Sequence, residues 1–379
     1  MQRFKLFVES FLLEAKEAIG IQHIEHPSDR TFDGPKPAQH ALTTLRGVAL
    51  GRTPATRKID DKMSFQIKRD DTGRVGVKYK GAGSDYNYSN GDIERQHGHK
   101  PYLANPLKTI LAHAPKILPN RSGEWQGGFM STPETREQKG GRIGHTPNTV
   151  SYSVAKDSPE GKKLAKSKVS IALHTELKGP KRKATPVIDQ SEFGSHPDVH
   201  LVDHSVSKEQ QKIPAEAKKK VLTHVAAAQS LMKKHDYGHL AGHEIHMRTY
   251  VNSTLDTGEK PSVEGYKKHL GARFQKEIDK VKTEKAKNQK TAVRDAHMSH
   301  IDNNKEAFDR SFQIHHHVQQ ATNVLADALN KTAHGGVRTE IDGKESGGEG
   351  FVAKGIKIVN RQEFSKANRA RSALLRAKK

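Results

Sequence analysis

The sequence predicts an α+β fold, in which a body of mixed or antiparallel sheet is interrupted by a helical insertion. Three observations carry this. Before residue 200, strand-like and helix-like runs mix without a regular strand–helix–strand rhythm, which argues against a doubly wound sheet. From about Ser205 to His334 the composition turns to Ala, Lys, Glu, Gln and His with helical periodicity. Apolar strand-like segments then return at residues 350–360. The 379 residues suit two or three domains. The predicted division is a helical leader and loop over 1–50, a body over 51–204, the basic insertion over 205–334, and closing strands with a basic helix over 335–379.

Taken in order, residues 1–20 place Phe4, Phe7, Val8, Phe11, Leu12, Ala15 and Ile19 at helical spacing, with Lys5, Glu9, Glu14 and Lys16 on other faces. These charges exclude a secretory signal. A Gly/Pro/Asp-rich loop over 27–36 leads to a short helix over 37–50. Met63, Phe65 and Ile67 lead through a charged stretch to the Thr72-Gly73 turn. Val75, Val77 and Tyr79 then alternate with Gly76, Lys78 and Lys80, which predicts a hairpin. Further strands are expected over 124–130, 149–154 and 169–174, with a helix over 106–114. Long helical stretches cover 215–234 and 263–288. A second hairpin is expected where 349–352 and 356–361 flank Lys354-Gly355. The last stretch, 366–379, carries six basic and no acidic residues and reads as a short helix.

Composition removes several functions. With no cysteine there is no disulfide scaffold, no thiolate zinc site and no Cys nucleophile. No run approaches the ~18 consecutive apolar residues of a membrane span. No Walker-type or GxGxxG loop is present, and Gly81-Ala82-Gly83 is only a loop tip. Lys and Arg number 65 against 43 Asp and Glu, a net charge of +22, which points to a polyanionic partner. The runs Lys218-Lys219-Lys220 and Lys233-Lys234 and the 276–290 segment read either as solvated helix faces or as contacts to a phosphate backbone. With aromatics at 6%, backbone contacts are favoured over base stacking.

Histidines cluster at His235, His239, His243 and His246. Positions 239 and 243 share a helical face, and Glu244 superficially resembles the Glu of HExxH. The order of that motif is absent, and Gly238 and Gly242 weaken the helix it needs, so no metal site is predicted there. His315-His316-His317 would point in different directions on a helix.

Gly348-Glu349-Gly350-Phe351-Val352, followed by Ile356-Lys357-Ile358-Val359 and set beside Lys58-Ile59-Asp60, carries the chemistry. The set resembles the covalent lysine nucleotidyltransferases, the superfamily of ATP-dependent polynucleotide ligases and capping enzymes. Their nucleophile motif is K-x-D-G, a later strand carries E-G and two hydrophobic residues, and a last strand supplies lysine. The layout is also similar to an uncharacterised family of large-tailed-phage proteins. The counterparts here are Lys58-Ile59-Asp60-Asp61, Tyr79-Lys80-Gly81, Gln126-Gly127-Gly128, Pro147-Asn148-Thr149-Val150-Ser151-Tyr152, Ile171-Ala172-Leu173-His174-Thr175 and the Glu349 run. Leu12-Leu13-Glu14 before Ala15 resembles the cleavage site of capsid-targeting leaders in such phages. Packing of an ordinary amphipathic helix is the alternative.

The resemblance implies a nucleotidyltransferase-like body and a lysine–AMP intermediate on Lys58. Asp60, Lys80, Glu349 and Lys357 would contact the nucleotide, ATP and Mg²⁺ would take part, and Glu349 and Glu124 would be the metal-side carboxylates. Nucleic acid bearing a 5′-phosphate is the implied substrate. The implied setting is the host cytoplasm during infection, or packaging in the phage capsid. Two departures mark the pattern: Asp61 replaces the Gly of K-x-D-G, and Gly128 stands where the phage pattern has an acid, with Glu124 as the nearby substitute. The alternative is a non-enzymatic, virion-packaged nucleic-acid-binding protein on a degenerate fold of this kind. An amine attacks a phosphate only when deprotonated, so Lys58 needs neighbouring cations or desolvation, for which Arg57, Lys62 and Lys357 are the candidates.

Overall fold

Alternation sorts the central sheet into an apolar and a polar face, and the polar face is the one that meets Lys58. The computed structural model describes residues 24–81, 85–179, 182–333, 336–362 and 364. The leader over 1–20, with its Leu12-Leu13-Glu14 site, and the basic tail over 366–379 lie outside the described residues. The strands are β1 (Thr56–Arg57), β2 (Met63–Arg69), β3 (Val75–Tyr79), β4 (Gly123–Ser131), β5 (Arg136–Lys139), β6 (Arg142–His145) and β7 (Ser151–Ala155). They continue with β8 (Val169–Lys178), β9 (Lys183–Pro186), β10 (Val199–Leu201), β11 (Arg338–Ile341), β12 (Lys344–Glu345), β13 (Phe351–Ala353) and β14 (Ile356–Ile358). The helices are α1 (Pro35–Ala49), α2 (Asn90–His97), α3 (Pro101–His113), α4 (Pro159–Lys166) and α5 (Ala215–Met232), then α6 (Glu244–Thr257), α7 (Val263–Asp279), α8 (Glu284–Asn303) and α9 (Lys305–Thr332).

The arrangement is α+β with antiparallel and mixed sheets. The central sheet runs β10-β8-β4-β2-β3, with β9 added beside β8. Only the β10–β8 pairing in it is parallel. Met63, Phe65, Ile67, Val77, Trp125, Phe129, Ile171 and Leu173 point to one side and pack under α2 and α3 through Ile93, Leu107 and Ile110. Ser64, Gln66 and Lys80 take the other side. A second, antiparallel sheet runs β12-β11-β7-β6-β5. A third joins β1, β13 and β14.

The helical stretch is not a detached lobe. α9 has 28 residues and at ~1.5 Å per residue spans about 42 Å, long enough to serve two cores. Residues Ile314 to Leu329 of it pack with α5, α1 and the site-bearing strands through Leu42, Val225, Phe351 and Ile358. Phe308 and Phe312 at its other end join Tyr250, Tyr266, Leu270 and Ile301 of α6, α7 and α8. Among the described residues, no helix is long and apolar enough to cross a membrane.

Several elements differ from expectation. The helical stretch 263–288 is broken after Asp279, because Thr283 caps a new helix by accepting the Ala286 N–H at 3.3 Å. The helix expected from residue 106 begins at Pro101, and Pro106 lies inside it, where it removes one hydrogen bond. The strand expected from residue 149 begins at Ser151 because the Thr149 and Val150 N–H groups are used elsewhere. The hairpins β5–β6 and β11–β12 were not expected, although Gly140-Gly141 and Asp342-Gly343 are the turn dipeptides such hairpins use.

Candidate functional site

Lys58 follows directly on β1. Arg57 pairs with Phe351, and the Lys58 N–H donates to the Gly350 carbonyl at 2.8 Å. This register brings the Lys58 ammonium into an ion pair with Glu349, 291 positions away in sequence. Gly350 has φ +89°, and a Cβ there would lie 2.3 Å from the Ile358 carbonyl oxygen. Only glycine makes that turn against β14. One strand over, Lys357 faces Val352, which itself faces Thr56. Lys58, Glu349 and Lys357 therefore meet on one small sheet.

The electrostatics follow from burial and like charge. Desolvation first, then the Lys357 ammonium and more weakly Lys80, push the Lys58 amine down to about 8, against the pull of Asp61 and Asp60. Burial and Arg361 lower Lys357, whose Nζ lies 5.7 Å over the Phe364 ring. Burial also lowers Lys80, against the attraction of Asp61. Its N–H donates to the Ser64 carbonyl at 3.1 Å, which holds it at the end of β3 beside this group.

Asp60 is buried, and its carboxylate is committed to a loop. It accepts from Asn148 Nδ2 at 3.0 Å, the Thr149 N–H at 2.6 Å and the Val150 N–H at 2.9 Å. In return the Asp60 N–H donates to the Tyr152 hydroxyl at 2.7 Å. The Lys-Ile-Asp and Pro-Asn-Thr-Val-Ser-Tyr segments thus hold each other in place. Asp60 reaches Lys58 and Lys357 through its charge.

Asp61 takes the space beside β4. Gly128 pairs with Ser64, and a Cβ on Gly128 would lie 2.3 Å from the Asp61 Cβ. Ser64 Oγ donates to the Asp61 carboxylate at 2.9 Å. Burial raises the Asp61 carboxyl above its ordinary range, opposed by that hydrogen bond and by Lys58. The structure does not bring Glu124 to this cluster. Glu124 pairs with Lys68 in register, four residues or about 13 Å along β4 from Gly128. Its carboxylate is taken by Tyr86 and Arg182.

Two histidines face the same charges: His26, which sequence reasoning missed, and His174, which lies in the Ile171–Thr175 segment but has no role assigned from sequence. Glu25 pairs with Ile356 and accepts the Lys357 N–H at 3.0 Å, so His26 is carried alongside β14. Burial, Arg361, Lys357 and Lys58 together push His26 down to about 3, with only Asp29 opposing. His174 is pushed to about 3 by burial, His204, Lys58 and Lys80. No local signal marks His26, because it arrives by long-range pairing. The His243 group is a core feature instead: His243 Nδ1 lies 2.8 Å from the Tyr266 hydroxyl and its Nε2 3.1 Å from His297. Among the described residues, no three His, Asp or Glu side chains are grouped to hold a metal ion.

No curated protein and no solved structure matches the chain. Residues 21–372 match DUF6267, a family of unknown function, and the chain belongs to that family.

Proposed function

We propose that this chain is an ATP-dependent nucleotidyltransferase of the polynucleotide-ligase type, with Lys58 as nucleophile and a nucleic-acid 5′-phosphate end as acceptor. The observation that carries the reading is the meeting of Lys58 with Glu349 and Lys357 on one sheet. A depressed lysine beside a second lysine is what attack on a phosphate requires.

In this reading the neutral Lys58 Nζ attacks the α-phosphorus of ATP. The bond from that phosphorus to the bridging oxygen breaks, and pyrophosphate leaves with the electron pair. The amine proton passes to Asp61, whose proton affinity burial raises. Lys357 and Lys80 neutralise charge on the phosphates. Glu349 releases Lys58 as the nucleotide enters. Glu349 would hold a magnesium ion together with the nucleotide's phosphate oxygens, and the bound ion would neutralise charge on them, leaving Asp61 free to take the proton. A 5′-phosphate oxygen then attacks the phosphoramidate phosphorus and Lys58 leaves as the amine. A 3′-hydroxyl finally displaces AMP and forms the phosphodiester.

The nucleic acid would be held by the helical layer, where Lys268, Lys276, Lys282 and Lys285 are exposed on α7, α8 and the turn between them. One observation favours a second reading: the Asp60 carboxylate is already committed to residues 148–150 and so is not open to a ribose. A nucleic-acid-binding protein on a degenerate site, carried in the virion, accounts for that. Incubation with ATP labelled at the α-phosphate and Mg²⁺ separates the two. Label that survives denaturation and is lost in Lys58→Ala supports the enzyme. Absence of label on folded protein, with salt-sensitive nucleic-acid binding retained, supports the second reading.

A further inference from the structure

The residue before Lys58 ties the site to the helical layer at both of that layer's ends. The Arg57 N–H donates to the His204 carbonyl at 2.7 Å, and Thr56 bridges Ser205 on the same side of β1. The Arg57 guanidinium donates to the Ser205 carbonyl at 3.0 Å and the Asp203 carbonyl at 3.4 Å, where the chain leaves for the helices. It also donates to the Ala333 carbonyl at 3.0 Å, where the chain returns. Ala333 is the C-cap of α9, so the cation sits at the negative end of a 28-residue helix. Gln211 adds a second tie, donating to the Thr53 carbonyl at 2.6 Å and accepting the Ala55 N–H at 3.0 Å.

On the opposite edge of β1, among the described residues, lies β13, the strand that follows Glu349. A shift of the 203–205 segment or of the α9 terminus would therefore move β1 relative to Glu349. Core packing reinforces the link, because Ala55, Phe351 and Ile358 share one apolar cluster with α5 and α9. We infer that Arg57 is a positioning residue through which the seating of the helical layer sets the placement of Lys58 against Glu349. The Arg57 guanidinium hydrogen bonds to Ala333, Asp203 and Ser205 all go to backbone carbonyls. The consequence for catalysis rests on Lys58 being the reacting group; the mechanical link does not.

The experiment uses the full chain with Arg57→Gln and Arg57→Lys, read by amide hydrogen exchange and by Lys58 labelling with ATP. Arg57→Gln is expected to speed exchange about tenfold or more in 203–211 and in the last turn of α9, and also in 56–61 and 349–352. Arg57→Lys, which keeps the charge at the helix end, is expected to recover much of that protection. Labelling at saturating ATP should fall about tenfold in Arg57→Gln, with half-saturation within about twofold of wild type. Faster exchange confined to 203–211 and α9, with 56–61 and 349–352 unchanged, would overturn the inference. If Arg57→Gln does not fold, Gln211→Leu, which cuts the neighbouring tie, is expected to speed exchange at 53–61, and unchanged exchange there overturns the inference. Failure of the wild-type chain to label bears on the proposed function alone, because exchange needs no nucleotide.

Discussion

Asp61 and Gly128 are complementary: the Asp61 side chain fills the space that any Cβ on Gly128 would need, at 2.3 Å. The acid at the position where K-x-D-G has glycine and the glycine at the position where the phage pattern has an acid thus share one space. The Asp61 carboxylate interacts by charge with Lys58 and Lys80 and comes from the loop between β1 and β2.

That shared space predicts strong coupling. Gly128→Asp alone should destabilise the fold by about 1–3 kcal/mol through overpacking. Adding Asp61→Gly should recover most of that loss, giving a coupling energy above about 1 kcal/mol in a double-mutant cycle. Urea unfolding of the four proteins checks this; additive losses would show that the two positions do not share the space.

Asp60 is expected to act first on structure. Asp60→Ala leaves the Thr149 and Val150 N–H groups without their acceptor and should cost about 2–4 kcal/mol. Tyr152→Phe removes only the acceptor of the Asp60 N–H and should cost about 1–2 kcal/mol. Denaturant midpoints measure both, and an Asp60→Ala loss below that of Tyr152→Phe would contradict the assignment.

The pH dependence of labelling follows from Lys58. Burial and Lys357 push its amine down to about 8, so once the nucleotide has displaced Glu349 the labelling rate should rise about tenfold per pH unit below that value and level off above it. Lys357→Met removes the larger of the two depressing cations. The midpoint should then move up toward the ordinary lysine value and the rate at pH 7 should fall. A rate profile flat from pH 6 to 9 would exclude Lys58 deprotonation as the limiting event.

Buried histidines predict acid sensitivity. Burial, the largest cause in each case, holds His145, His174 and His26 near 3 and His235 and His246 near 4, all below the ordinary 6.5. The unfolded chain therefore binds protons below pH 6.5 that the folded chain refuses, and stability should fall as pH drops from 6.5 to about 4. His26, His145 and His174, the most deeply buried, each contribute a slope of about 1.4 kcal/mol per pH unit in that window, and the half-buried His235 and His246 contribute less because solvent screens them. His145→Gln should lower the slope by about one proton, read from urea unfolding at several pH values.

Much of this fold was legible where one period dominates. The β2–β3 hairpin shows itself in the alternation of Met63, Phe65, Ile67, Val75, Val77 and Tyr79, and α5 in its helical repeat. Lys58, Glu349 and Lys357 were singled out only through the resemblance of their segments to a known family's motifs. Their meeting was not legible, since a pairing across 291 positions leaves no trace in either segment's periodicity. His26 and the ties of Arg57 were hidden for the same reason. The break at Thr283 was hidden because a single capping side chain decides it inside a uniformly polar stretch.

Salt dependence tests the helical surface. Binding of single-stranded nucleic acid should weaken steeply with salt, and replacing Lys268, Lys276, Lys282 and Lys285 together by Gln should make the log–log slope shallower by about 3. An unchanged slope would place the nucleic-acid contact elsewhere on the chain.

Intact-mass measurement after incubation with ATP and Mg²⁺ tests the central claim most directly. The expected result is a gain of one AMP, mapped to the peptide containing Lys58, removed by added pyrophosphate and absent in Lys58→Ala. Folded wild-type protein that gains no nucleotide mass, or gains it on a different lysine, would contradict the account.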